Sequence, residues 1–152
     1  MTFIHRRLLG LAVLASFALA PNAFAEVGYC PPDRARKAEY EYTRITTWAD
    51  LHQSYRLYHG CDNGGVAEGY DDVVKHLLVR QWSQLPTVAA DIQRDGAFSG
   101  FITRHINEEW DRVDLMKVKS FAQHRCPSQL DRFCRGVTGA VEAAIIANDP
   151  SR

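Results

Sequence analysis

From Trp48 to the end of the chain, apolar residues recur at helical spacing almost without a break, and this regularity decides the fold class. Trp48, Leu51, Tyr55 and Tyr58 fall at i, i+3, i+7 and i+10, which puts them on one face of a 3.6-residue helix. Thr47 is placed as N-cap, Asp50 stands three residues on, and Gly60 is placed to end the helix. The spacing therefore predicts a helix over about 48–59. A wider stripe follows, from Val66 and Tyr70 through Val74, Leu77 and Leu78 to Trp82 and Leu85. Asp71 to Lys75 and Asp72 to His76 make i, i+4 pairs on its other side, and Pro86 is expected to stop the helix.

Shorter elements follow. A helix from Thr87 is expected to close at Asp95-Gly96, and Phe98, Phe101, Ile102 and Ile106 mark the next. Asp114 is expected to cap a helix carrying Leu115, Val118 and Phe121 and ending at Cys126-Pro127. The last helix is expected over about 127–147, with Gly136, Gly139, Ala140 and Ala143 as a strip of small residues. Between Arg34 and Thr46 the pattern is mixed: Tyr40 and Tyr42 alternate as in a strand, while Ala35, Ala38 and the interspersed charges suit a helix. A lone strand would have no partner, so the segment is read as helix. The fold class expected is all-α, a compact bundle of five to six helices stapled by two disulfides, after a cleaved signal peptide.

That signal peptide is read at residues 1–25. Met1 to Arg7 carries His5, Arg6 and Arg7, Leu8 to Ala20 is an apolar run, and Ala23-Phe24-Ala25 supplies small residues before a cut. The run is too short for a membrane anchor, because a helix crossing the hydrocarbon needs about 20 apolar residues and Pro21-Asn22 interrupts it. The expected mature chain is one helical domain, 26–152, located in the periplasm or secreted. Its four cysteines, Cys30, Cys61, Cys126 and Cys134, are an even number in an oxidising compartment. The most local pairing is Cys30–Cys61 and Cys126–Cys134. A zinc site would show closer pairs than the Cys-x7-Cys found here.

Cleavage also sets the charge. Arg6 and Arg7 leave with the signal, so 16 lysines plus arginines face 18 acids, a net −2. No broad positive field results, which argues against nucleic acid and anionic membrane surfaces as partners.

Recognisable catalytic motifs are absent. His52, His59, His76, His105 and His124 lack the i, i+4 spacing of a helical zinc site, and no Cys-x-x-Cys-His or phosphate-binding glycine loop occurs. Ser99-Gly100 lies in a helical pattern rather than in a nucleophile elbow. His105 is expected to be held by Glu109, one turn on. The segment that stands out is Cys61 to Asp72, where Asp62, Glu68, Asp71 and Asp72 gather around Asn63-Gly64-Gly65. Asp62 or Asn63 suits a helix cap. The calcium-loop pattern fails at its third position. Glu68 and Asp72 share a helix face as a carboxylate pair, although one helix face offers no walls for a substrate cleft. As a rigid acidic surface the segment suits docking on another protein, with Trp110 as a candidate anchor.

The function expected is that of an exported cell-envelope binding protein without catalytic activity, an inhibitor or immunity-type protein that binds a secreted toxin or hydrolase. Its partner-binding residues would be Asp62, Asn63, Glu68, Asp71, Asp72 and Trp110, with no metal or cofactor and another exported protein as partner. The alternatives are a small periplasmic hydrolase using carboxylate or histidine acid–base chemistry, and a periplasmic chaperone or assembly factor.

Overall fold

The Thr47 to Asp50 capping box forms as the sequence requires. The Asp50 amide donates to Thr47 Oγ1 at 3.1 Å, and the Thr47 amide donates back to Asp50 Oδ2 at 3.0 Å. They open α2, Trp48–Tyr58, which buries Trp48, Leu51, Ser54 and Tyr55. This is a computed structural model; it describes residues 29–149, so the signal peptide and its cleavage after Ala25 lie outside the described residues.

Ahead of it, α1 spans Pro32–Tyr42 and has proline in its first turn, where the missing N–H costs no hydrogen bond. The mixed stretch, Arg34 to Thr46, is thus helix as far as Tyr42, and Thr43 to Thr46 form the turn that leads to α2. The Cys30–Cys61 disulfide ties its start to a 3-10 turn, His59–Cys61, that follows α2. Next, α3 spans Gly64–Arg80 and ends six residues before Pro86. A run of 3-10 turns, Trp82–Val88, carries the proline instead. Two observations account for the early end. Pro86 has no N–H to offer the Trp82 carbonyl, and the Gln81 carbonyl accepts from the Gln84 amide at 2.9 Å in a 3-10 turn as well as from the Trp48 indole N–H at 3.0 Å.

Two short helices follow, α4 (Ala89–Arg94) and α5 (Gly96–Arg104). Gly96 opens α5 rather than closing α4, because Asp95 is an N-cap whose Oδ1 accepts from the amides of Ala97 and Phe98 at 2.9 and 3.0 Å. Then α6 spans Arg112–His124. Its cap is Asp111, whose Oδ1 accepts from the Asp114 amide at 3.0 Å, and not Asp114 itself. After a 3-10 turn, Ser128–Leu130, comes α7, Asp131–Ala147. The Cys126–Cys134 disulfide closes this last connection.

The all-α class and both disulfide pairings are as expected, and the described residues hold seven α-helices, α1 included, rather than five to six. Packing runs α1 on α2 and α3, α3 on α6, α5 on α7 and α6 on α7. One core results, with Trp48, Tyr70, Leu77, Phe98, Phe101 and Leu115 fully buried within it. No described helix is long and apolar enough to cross a membrane.

Candidate functional site

The acidic segment divides between the interior and the surface. Asp62 follows the disulfide-bonded Cys61 and turns its side chain inward, to 6% exposure. Its Oδ2 accepts from both Nε and Nη2 of Arg104, at 2.8 and 2.6 Å, and its Oδ1 faces His105 Nε2 at 3.3 Å. On α3, Asp71 Oδ1 lies 2.6 Å from His105 Nδ1, and Asp71 Oδ2 accepts from Asn107 Nδ2 at 2.9 Å. His105, at the end of α5 and 3% exposed, therefore stands between two carboxylates drawn from different elements. Phe101 meets its ring edge-on at 4.5 Å, and Tyr70 packs beside it with its hydroxyl 2.8 Å from Ser54 Oγ.

The charges in this network reinforce one another. Burial acts to raise the Asp62 carboxyl, but the hydrogen bonds and charges of His105 and Arg104 outweigh it and hold the group below the ordinary carboxylate value. The Nδ1 contact to Asp71 is short, whereas Asp62 Oδ1 and His105 Nε2 approach without hydrogen-bond alignment. A neutral imidazole has one N–H, so only the doubly protonated ring offers a donor to each carboxylate. The carboxylates lie at opposite edges of the ring, and among the described residues no three His, Cys, Asp or Glu side chains converge as a metal-binding group.

The other expected site residues separate from this pair. Asn63 is at the N-cap position of α3 without a side-chain cap bond, so neither it nor Asp62 caps the helix. Glu68 and Asp72 are exposed on the outer face of α3, one turn apart. Glu109, expected to hold His105, is exposed; its amide donates to Asn107 Oδ1 at 3.1 Å, and the carboxylates that hold His105 are Asp62 and Asp71. Trp110 is 3% exposed within the core, so its indole is not available as a surface anchor.

A surface feature that sequence reasoning missed lies between the C-terminal end of α3, the following 3-10 turns and α6. It is an open-sided groove of about 640 Å³. Trp82, Pro86, Phe121 and Pro127 give it an apolar floor, and Arg80, Lys117 and Arg125 bring three cations. The Trp82 indole donates to the Arg125 carbonyl at 2.9 Å and packs 5.8 Å from the Phe121 ring. Arg125 and Lys117 lie over the face of Phe121, at 5.1 and 5.8 Å from its centroid. No acid lines the groove, and none of its three cations is in an ion pair among the described residues. The available signal was the i, i+4, i+8 row of Lys117 and Phe121 on α6 and Arg125 at its C-cap.

No protein-family model, curated protein or solved structure matches this chain.

A second groove, of about 490 Å³, joins α2 to the region around α4. His52 lines it with Nδ1 3.4 Å from Asp91 Oδ2, and Arg94 holds the other oxygen of that carboxylate at 2.8 Å. The hydroxyl nearest in kind to a nucleophile there, Thr87 Oγ1, donates to the Gln84 carbonyl at 2.7 Å. Among the grooves of the described residues, these two differ in kind: one is an aromatic groove lined by cations, the other holds an oriented histidine beside a hydroxyl tied to backbone.

Proposed function

We propose that this chain is an exported, non-catalytic binding protein of the cell envelope, of the inhibitor or immunity type, that acts by occupying another exported protein. The observation that carries this reading is the groove over Trp82 and Phe121, where an apolar aromatic floor is lined by three cations that have no acidic partner among the described residues. Aromatic rings beside arginine are enriched in interface hot spots; here the half-buried Phe121 is the ring open to contact, with Trp82, 5% exposed, packed beneath it. Export is supported by the order of residues 1–25 and by the two disulfides, which persist in oxidising compartments. The buried state of His105 supports a structural rather than a chemical role for the Asp62–His105–Asp71 chain, because a general base must come within hydrogen-bond reach of a substrate proton.

The rival reading, a small periplasmic hydrolase, has one observation in its favour, the His52–Asp91 pair in its groove. Affinity capture from envelope extract on the tagged mature chain separates the two. The binding reading expects a stoichiometric complex with one exported protein and no turnover of cell-wall or lipid substrates. Turnover that is lost in His52→Ala or Glu68→Gln, with no partner retained, would overturn it.

A further inference from the structure

We infer that the Trp82–Phe121 groove receives an acidic peptide segment carrying an apolar anchor, presented by the partner protein. The inference rests on the binding-protein reading above and names the chemistry of what is bound. Charge complementarity is the first argument. Although the chain is neutral overall, Arg80, Lys117 and Arg125 converge on one groove with no acid in its lining and, among the described residues, no ion pair of their own. Three cations around an apolar surface, unpaired among the described residues, favour a ligand with carboxylates around an apolar centre.

The shape supplies the second argument. Trp82 and Phe121 form a tilted aromatic pair, and the backbone bond from the Trp82 indole to the Arg125 carbonyl fixes the floor before any ligand arrives. Arg125 and Lys117 stack over Phe121 and so present their charged ends from positions already held by the ring. Because the groove is open-sided, it is suited to a segment whose outer face is covered by the rest of a partner. A free acyl anion needs most of its surface enclosed, which an open groove of this kind does not provide.

The test uses the full mature chain and a fluorescein-labelled short peptide in which phenylalanine and leucine stand between flanking aspartates and glutamates, read by fluorescence anisotropy. The wild-type chain is expected to bind it, and to bind the lysine-flanked counterpart at least about tenfold more weakly. The triple variant Arg80→Glu/Lys117→Glu/Arg125→Glu is expected to lose about tenfold or more in affinity for the acidic peptide, and raised salt to weaken the wild-type complex. The Arg125 bond that fixes Trp82 is made by the main chain, so the substitutions leave it in place. Should the triple variant fail to fold, judged by circular dichroism, the single variant Arg80→Gln and phenylalanine-to-serine in the peptide each must weaken binding. Equal binding of acidic and basic peptides, or affinity unmoved by these changes, would overturn the inference, as would dodecanoate occupying the groove while the acidic peptide does not bind. The two levels fail separately: a partner captured equally by wild type and triple variant sinks the groove but spares the binding-protein reading. No captured partner sinks that reading and leaves the peptide result to stand or fall by itself.

Discussion

His105 is the residue through which the interior chemistry of this molecule is organised. Asp62 and Asp71 reach its two ring nitrogens, and Arg104 closes the outer side of Asp62. Removing the ring leaves Asp62, with its side chain 6% exposed, dependent on Arg104 alone. His105→Ala is therefore expected to destabilise the fold by about 1–3 kcal/mol in urea denaturation, the scale for leaving a buried polar group short of a partner. A pH dependence follows from Asp62. Its folded carboxyl is held below the ordinary value, so near that value the unfolded chain binds more protons and stability rises with pH. The contribution is fully present above about pH 4 and is lost as pH falls through the folded value. Asp50, held down first by its bond to the Thr47 hydroxyl, acts with the same sign. Urea midpoints measured from about pH 6 to pH 2 are expected to fall more steeply for the wild type than for Asp62→Asn; parallel curves would remove Asp62 from the account. Little of this was legible in the sequence. The neighbourhood of His105 offered Glu109, but the partners chosen are 43 and 34 residues away along the chain, joined only by the packing of α3 against α5 and the turn after α2.

At the scale of elements, helix faces were readable and helix ends were less so. The apolar stripes located α2, α3, α6 and α7, because burial on one core forces a 3.6-residue period. Ends depend on single hydrogen bonds, which is why the cap of α6 is Asp111 and why α3 stops at Arg80, where the Gln81 carbonyl accepts from the Gln84 amide and the Trp48 indole and a 3-10 run begins. Two contacts between elements are testable. Gly69 lets α3 approach the Tyr42 ring so closely that an added Cβ would run into it. Gly69→Ala is expected to cost about 1–3 kcal/mol by overpacking, and Tyr42→Ala in the same chain to recover part of that loss in a double-mutant cycle. The second contact is the Cys30–Cys61 bridge, with a sequence separation of 31 against 8 for Cys126–Cys134. In the chain-entropy account the longer loop contributes about 3.7 kcal/mol and the shorter about 2.6. Among the residues of α1 only Ala38 is fully buried, so the helix leans on this tether. Cys30→Ala/Cys61→Ala is expected to abolish amide-exchange protection over 32–42 while sparing α6 and α7; uniform loss across the molecule would contradict it.

At the scale of the whole molecule, the acids and the cations are placed for different tasks. Two of the acids that looked like a surface in the sequence, Asp62 and Asp71, hold the interior together. Glu68 and Asp72 stay outside, and Trp110 joins the core. The groove that replaces them as the leading surface is assembled from segments around Arg80, Phe121 and Pro127. Net charge could not reveal it, since a chain with 18 lysines and arginines against 18 acids, neutral overall, hides a local group of three cations. The central claim is that the chain works by occupying an exported partner. Its most direct test is a titration of the purified partner, a hydrolase or toxin recovered by envelope capture, with the mature chain. Inhibition that saturates at one equivalent and is lost in Arg80→Glu/Lys117→Glu/Arg125→Glu is the predicted result. A partner left fully active at saturating chain, with substrate turnover by the chain itself that disappears in His52→Ala, would contradict it.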